Sequence, residues 1–126
     1  MKNLDSLCAK IALGIENECK KKKDNDRKSF LNNITNGISI LQEDGIYAFY
    51  LFLKREKIKS EVWDHCRDLL TDQSLEKIIS YPKNLDDEKA IIEMTENLDA
   101  LLLAKDLLQR MLIYARYGIR SREKSK

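Results

Sequence analysis

Apolar residues recur every three or four positions along most of this chain, and the pattern is longest near its C-terminal end. There the apolar positions are Leu98, Leu101, Leu102, Ala104, Leu107, Leu108, Met111, Leu112 and Ala115. This spacing places them on one side of a helix, which can be buried while the other side faces water. One proline and four glycines in 126 residues leave few points of interruption. The sequence therefore predicts an all-α protein, a compact bundle of about six to seven helices with a long C-terminal helix.

Capping and helix-breaking residues predict where these helices begin and end. The expected helices cover about 4–22, 26–44, 46–57, 61–70, 73–80, 85–94 and 97–117. Asn3 and Ser60 are expected at helix starts, and Gly45 and Gly118 at helix ends. We expect one helical domain over residues 1–120, followed by a basic mobile tail over residues 121–126.

Charge is divided unevenly along the chain, although the formal net charge is only +2. Residues 1–60 carry +4, residues 61–106 carry −7 and residues 107–126 carry +5, which together give +2. Such a division favours a partner of high charge, or copies of this chain stacked positive to negative.

Few residues are candidates for enzymatic chemistry. His65 is the one histidine, so a Ser/His/Asp or Cys/His constellation would have to use it. Its place beside apolar positions of a short helix favours a solvent-facing or capped side chain over a catalytic one. Cys8 and Cys19 fall on the apolar side of the first helix, about 16 Å apart, which is too far for a disulfide. The acidic run at 86–88 suits the first turn of a helix better than a metal site. The sequence therefore predicts no enzymatic activity, no metal and no cofactor.

Two further features concern cellular location. No stretch reaches the roughly 20 apolar residues that a membrane helix requires. The first residues, MKNLDS, lack the uninterrupted apolar stretch of a signal peptide. We therefore expect a cytoplasmic protein.

Basic residues form three clusters that are candidates for binding a phosphate backbone, because Lys and Arg neutralise phosphates regardless of sequence. The first basic cluster is Lys20, Lys21, Lys22, Lys23, Arg27 and Lys28. The second basic cluster is Lys54, Arg55, Lys57 and Lys59. The third basic cluster is Arg110, Arg116 and Arg120, extended by Arg122, Lys124 and Lys126. Tyr114 and Tyr117 lie among these arginines, where a ring can stack on a base. The predicted nucleic-acid-binding residues are Lys54, Arg55, Lys57 and Lys59 of the second cluster and Arg110, Arg116 and Arg120 of the third. The alternative is that these charges only face water at helix ends and that the tyrosines pack against the protein.

Four segments, spread over nearly the whole chain, carry a resemblance to a known family. They are LDSLCAKIA at 4–12, Phe30-Leu31 with ILQEDGIYAFYLFL at 40–53, WDHCRDLL at 63–70, and AKDLLQRMLIYARYG at 104–118. In that order they resemble the opening, the aromatic core, a middle helix and the closing helix of the small all-helical subunit of type III-B CRISPR RNA-guided effector (Cmr) complexes. The chain departs from the family pattern at four positions, which are Asp44 for Asn, Ala104 for Thr, Ile113 for Trp and Gly118 for Ala.

The resemblance implies a non-catalytic subunit that stacks in several copies and helps to hold guide and target RNA through its basic surface. It also implies contact with the guide-binding backbone subunit and the large polymerase-like subunit, and no membrane contact. Two alternatives stay open, the small subunit of the related type III-A complexes and a purely protein-binding helical interaction module. A DNA-binding helical regulator is disfavoured, because the helices expected over 60–80 are too acidic to enter a major groove.

Overall fold

A computed structural model describes residues 3–123, and within them the chain forms six α-helices and no strand. The helices are α1 (Leu4–Lys20), α2 (Asp24–Asp44), α3 (Ile46–Arg55), α4 (Asp64–Leu70), α5 (Asp87–Met94) and α6 (Leu98–Glu123). A π-helical turn, Lys59–Trp63, leads into α4, and a 3-10 turn, Gln73–Leu75, follows it. The predicted all-α fold with a long C-terminal helix is confirmed.

Side-chain caps and one glycine account for several helix boundaries. The Asn3 side chain accepts hydrogen bonds from the backbone N–H groups of Asp5 and Ser6, at 2.9 and 3.2 Å. Asp86 caps α5 in the same way, through the N–H of Lys89 at 3.0 Å. Gly45 separates α2 from α3 with φ +96°, a conformation that costs glycine little and strains other residues. The predicted roles of Asn3 and Gly45 are therefore confirmed.

The fourth predicted helix is present as α4, but its predicted cap and the helix predicted after it are wrong. Ser60 does not cap a helix, because it lies inside the π-helical turn that starts at Lys59. The helix expected over residues 73–80 is only the short 3-10 turn, whose first residue is preceded by a capping Asp72. Leu75, Ile79 and Tyr81 are buried, so this segment joins the core without forming an α-helix. In segments this short, apolar spacing did not distinguish an α-helix from a π-helical or 3-10 turn.

The predicted end of the last helix at Gly118 is also wrong, because α6 continues through this residue to Glu123. The carboxyl group of Glu16 occupies the space that a β-carbon at Gly118 would take. Arg122, one turn later, donates to the same carboxylate from Nε at 3.2 Å and from Nη2 at 3.1 Å. This contact with α1 holds the last turn helical. The first three residues of the expected mobile tail are thus helical, and residues 124–126 lie outside the described part of the chain.

The core is one continuous cluster to which all six α-helices contribute. Trp63 is the largest fully buried side chain, with 0% exposure. Its ring lies 6.3 Å from that of Phe49 and 5.2 Å from that of Tyr50, the latter edge-on. The aromatic α3 therefore packs on the π-helical turn. Cys8 and Cys19 are buried, as their positions on the apolar side of α1 predicted.

Contacts between helices show that α1 and α6 run in the same direction. Asp5, near the start of α1, contacts Arg110 and Tyr114. Glu16, near the end of α1, contacts Arg122. Because both residue numbers increase together, the C-terminal ends of the two helices lie at the same end of the bundle.

The second helix runs in the opposite direction. Three residues separate it from α1, and near its own end the Gln42 carbonyl accepts a hydrogen bond from Lys105 Nζ at 2.9 Å. Lys105 lies in the first half of α6. The end of α1, the start of α2 and the end of α6 therefore meet at one end of the bundle.

Candidate nucleic-acid interface

Two of the three predicted basic clusters meet where α1 ends, α2 begins and α6 ends. We define the basic end as the first basic cluster together with Arg116, Arg120 and Arg122. These residues are far apart in sequence, and the parallel packing of α1 and α6 brings them to the same end. The sequence predicted both clusters but not their proximity.

Ion pairs neutralise part of the basic end. Lys21 contacts Glu18 at 3.4 Å, Lys22 contacts Glu61 at 2.5 Å, and Arg27 contacts Asp24 at 2.9 Å. Five other cations have no ion pair with any residue in the described part of the chain; they are Lys20, Lys23, Lys28, Arg116 and Arg120. These five carry the charge that is free to meet an anion.

The two tyrosines of α6 have different surroundings. The Tyr114 hydroxyl donates to Asp5, and this hydrogen bond, more than burial, raises the pKa of Tyr114. Tyr114 is therefore held against α1. Tyr117 is 61% exposed, and the Arg116 guanidinium lies 5.7 Å from its ring centroid. Only Tyr117 presents a ring, with an adjacent cation, to an incoming base.

Arg110 lies apart from the other two arginines of the third cluster. It pairs with Asp106 at 3.1 Å and lies 3.8 Å from Asp5. Ten residues of helix place it about 15 Å from Arg120 along the axis of α6. The structure therefore separates Arg110 from the basic end, although the predicted RNA contact at Arg110 itself stays a prediction.

Most of the second basic cluster is paired with acids. Lys54 contacts Glu88 at 2.5 Å, and Arg55 contacts its neighbour Glu56 at 3.1 Å. Lys59 contacts Asp87 at 3.1 Å. Two of these acids belong to the first turn of α5, so the cluster holds α5 against the rest of the bundle. RNA binding by these lysines stays a prediction, and it would require the phosphates to compete with internal carboxylates.

Lys57 is the exposed member of this cluster with no ion pair among the described residues, and its backbone is unusual. Its φ of +63° is left-handed, the region that favours glycine. It ends α3 in a Schellman motif, in which the Ile58 N–H bonds the Leu53 carbonyl at 3.0 Å and the Lys57 N–H bonds the Lys54 carbonyl at 3.1 Å. A lysine occupies a position for which glycine is suited.

Replacing Lys57 with glycine is therefore expected to stabilise the protein by about 1 kcal/mol, because the left-handed conformation costs a residue with a β-carbon about that much. Urea unfolding followed by far-UV circular dichroism measures the change. The matched control is Lys57→Ala, which removes the same charge but keeps the β-carbon. Equal stabilisation by both variants would show that charge, and not backbone strain, is responsible.

Asp87 is a partly buried carboxylate that accepts hydrogen bonds from three other side chains, which the sequence did not predict. Its side chain is only 9% exposed and accepts hydrogen bonds from the Tyr81 hydroxyl at 2.6 Å, from Lys59 and from Arg67, both at 3.1 Å. Burial by itself raises the pKa of Asp87, but these three donors outweigh burial and leave the pKa below its usual value. The sequence correctly placed the acidic run at 86–88 near the start of a helix. It did not predict that Asp87 contacts Tyr81, Lys59 and Arg67, because no local pattern links Asp87 to donors in other elements.

The groups considered for catalysis are held in structural contacts. The His65 side chain is partly buried, with its ring against Gly14 and its Nε2 3.3 Å from Glu18. Burial raises the pKa of the Cys8 thiol to about 11 and also raises that of the Cys66 thiol. Both thiols are therefore protonated at neutral pH. Residues 3–123 contain no group of three or more His, Cys, Asp or Glu side chains that could hold a metal ion.

Comparison of the chain with protein-family models, with curated proteins and with solved structures gives no match. The family resemblance drawn from the sequence therefore stays a prediction. In the described part of the chain, no helix has both the length and the apolar character needed to cross a bilayer.

Proposed function

We propose that this protein is a non-catalytic small subunit of a cytoplasmic type III-B CRISPR RNA-guided RNA-targeting complex, and that its basic end contacts the RNA backbone. The resemblance of four sequence segments suggests the complex. The observation that supports RNA contact is the group of five cations without acidic partners, which α1, α2, α6 and the α1–α2 connection bring to one end of the bundle.

The physical basis of this contact is electrostatic. Lysine and arginine side chains neutralise phosphates and release counterions, which gives affinity with little sequence preference. Tyr117 adds a face on which one base can stack, and the guanidinium of Arg116 lies beside it. The protein would hold guide and target RNA, and other subunits would carry out cleavage.

The proposal includes the protein partners that the resemblance implies. Copies of the chain would stack head to tail, and the stack would contact the guide-binding backbone subunit and the large polymerase-like subunit. The type III-A small subunit is the nearest alternative assembly.

A purely protein-binding module is the second candidate function. Exposed Leu98 and Leu102, at 64% and 57%, favour it because large apolar side chains in water mark many protein interfaces. This candidate predicts no salt-sensitive RNA binding.

Replacing Arg116 and Arg120 together with alanine is expected to weaken binding to a labelled, unstructured single-stranded RNA by about tenfold at low salt. It should also reduce the slope of log K against log salt by about 1.4, since each lost phosphate contact contributes roughly 0.7. Fluorescence anisotropy over a series of salt concentrations measures both quantities, and the loss should be similar for RNAs of different sequence.

The matched control is the double variant Lys77→Ala with Lys83→Ala, which removes two exposed charges outside the basic end. Equal losses in both double variants would show that only net charge matters and that the assignment of the basic end is wrong. No RNA binding by the unmodified protein at low salt would contradict the proposed function itself.

A further inference from the structure

The outward side of α6 carries exposed apolar residues near both of its ends. Leu98, Tyr117 and Leu102 are 64%, 61% and 57% exposed, more than any other large apolar side chain in the described chain. At 100° per residue they all lie on the side of α6 opposite its buried residues, such as Ala104 and Leu108. A single helix thus presents an apolar surface that nothing in the described chain covers.

Charge changes sign along the same outward side. Asp99 and Asp106 lie in the first half of α6, and Arg116 and Arg120 lie in the second half. Asp99, Arg116 and Arg120 have no ion pair among the described residues, while Asp106 pairs only with Arg110 on its own helix. The two halves of the surface are therefore complementary to each other, but they point in the same direction and cannot meet within one molecule.

A second copy in antiparallel orientation brings the two halves together. If a two-fold axis passes between Gln109 and Arg110, Leu102 of each copy lies opposite Tyr117 of the other. The same axis places Asp99 opposite Arg120. Every such contact occurs twice, as in any isologous dimer. We propose that two copies of this protein associate through the outward sides of α6, packed antiparallel.

The dimer is expected to be reversible, because one helix from each copy supplies a contact of only about 33 Å in length.

The proposed dimer does not depend on the proposed RNA function. Arg116 and Arg120 also belong to the basic end, so they cannot contact a second copy and RNA at once. The antiparallel dimer is therefore an assembly of the protein without RNA, and it differs from head-to-tail stacking, which joins opposite ends of the bundle and does not stop at two copies.

Sedimentation equilibrium of the full chain without RNA, over a wide range of concentration, tests this pairing. The expected mass rises from that of the 14.7 kDa chain toward twice that value and goes no higher. Asp99→Arg and Arg120→Asp should each weaken the dimer by about tenfold, because each variant creates two like-charge contacts. An equimolar mixture of the two variants should recover the dimer, since both contacts in the mixed pair are again attractive, and the double variant D99R/R120D should recover it as well.

The control is Asp68→Arg, a matched charge reversal at an exposed position of α4. Circular dichroism of each variant checks folding, because arginine at position 99 lies in the first turn of α6 and disfavours the helix there. A monomer at every concentration, growth beyond two copies, or variants that associate as well as the unmodified chain would each overturn the proposal.

Discussion

Replacing Trp63 with alanine is expected to lower the free energy of unfolding by about 4 kcal/mol, the largest effect of any single substitution considered for this protein. The side chain is fully buried and contacts the rings of Phe49 and Tyr50. Its removal leaves a cavity where the π-helical turn packs on α3, and both elements connect directly to the second basic cluster. Urea unfolding followed by far-UV circular dichroism measures the loss, since the substitution also removes the tryptophan fluorescence.

The matched control is Trp63→Phe, which keeps an aromatic ring against Phe49 and Tyr50. Its expected cost is smaller, about 1–2 kcal/mol, because less volume is lost and the ring contacts partly remain. If alanine costs less than about 1 kcal/mol, Trp63 is not part of a tightly packed core, and the packing of α3 on the π-helical turn described above is wrong.

The second large effect is expected at Asp87, where alanine should cost about 3 kcal/mol at neutral pH. The substitution leaves the buried Tyr81 hydroxyl without an acceptor, and it removes the carboxylate that pairs with Lys59 and Arg67. Because Asp87 lies in the first turn of α5, we expect this helix to exchange its amide hydrogens faster in the variant. Asp87→Asn keeps the size and one acceptor but not the charge, so it should cost less than alanine.

The contribution of Asp87 to the stability of the fold is expected to decrease as the pH falls. Its pKa in the folded protein is below the usual value, since donated hydrogen bonds outweigh burial. The ionised carboxylate therefore stabilises the fold fully above the unfolded pKa of about 4, and this stabilisation is lost as the pH falls through the lower folded pKa. Unfolding at neutral pH and in progressively stronger acid should show the unmodified chain and Asp87→Asn converging in stability. A difference that stays constant into strong acid would show that the charge of Asp87 is not what stabilises α5.

The helices were predictable because their causes are local. Apolar spacing gave α1, α2 and α6, and single residues such as Asn3 and Gly45 marked their ends. The predicted helix end at Gly118 was wrong because this glycine makes room for the carboxyl group of Glu16. Glu16 is far away in sequence and comes close only through the packing of α1 on α6. The π-helical turn has no comparable sequence pattern.

For the candidate nucleic-acid interface, only the positions of the basic residues along the chain were predictable. The sequence shows where Lys and Arg cluster, but it does not show which of them have acidic partners. Lys54 and Lys59 are paired with α5, a helix that begins about thirty residues later in the chain, whereas Arg116 and Arg120 have no ion pair with a residue of the described part. The parallel direction of α1 and α6, which creates the basic end, follows from tertiary packing and not from any local pattern.

Purification of a tagged copy of this chain from its native host, with sequencing of any bound RNA, tests the proposed function most directly. We expect several co-eluting proteins and short RNAs that share a repeat-derived end, and we expect the Arg116→Ala, Arg120→Ala double variant to retain less RNA. Recovery of the chain by itself, with no RNA in low or moderate salt, would contradict the proposed function. The similarity to type III-B small subunits would then amount to a shared apolar pattern.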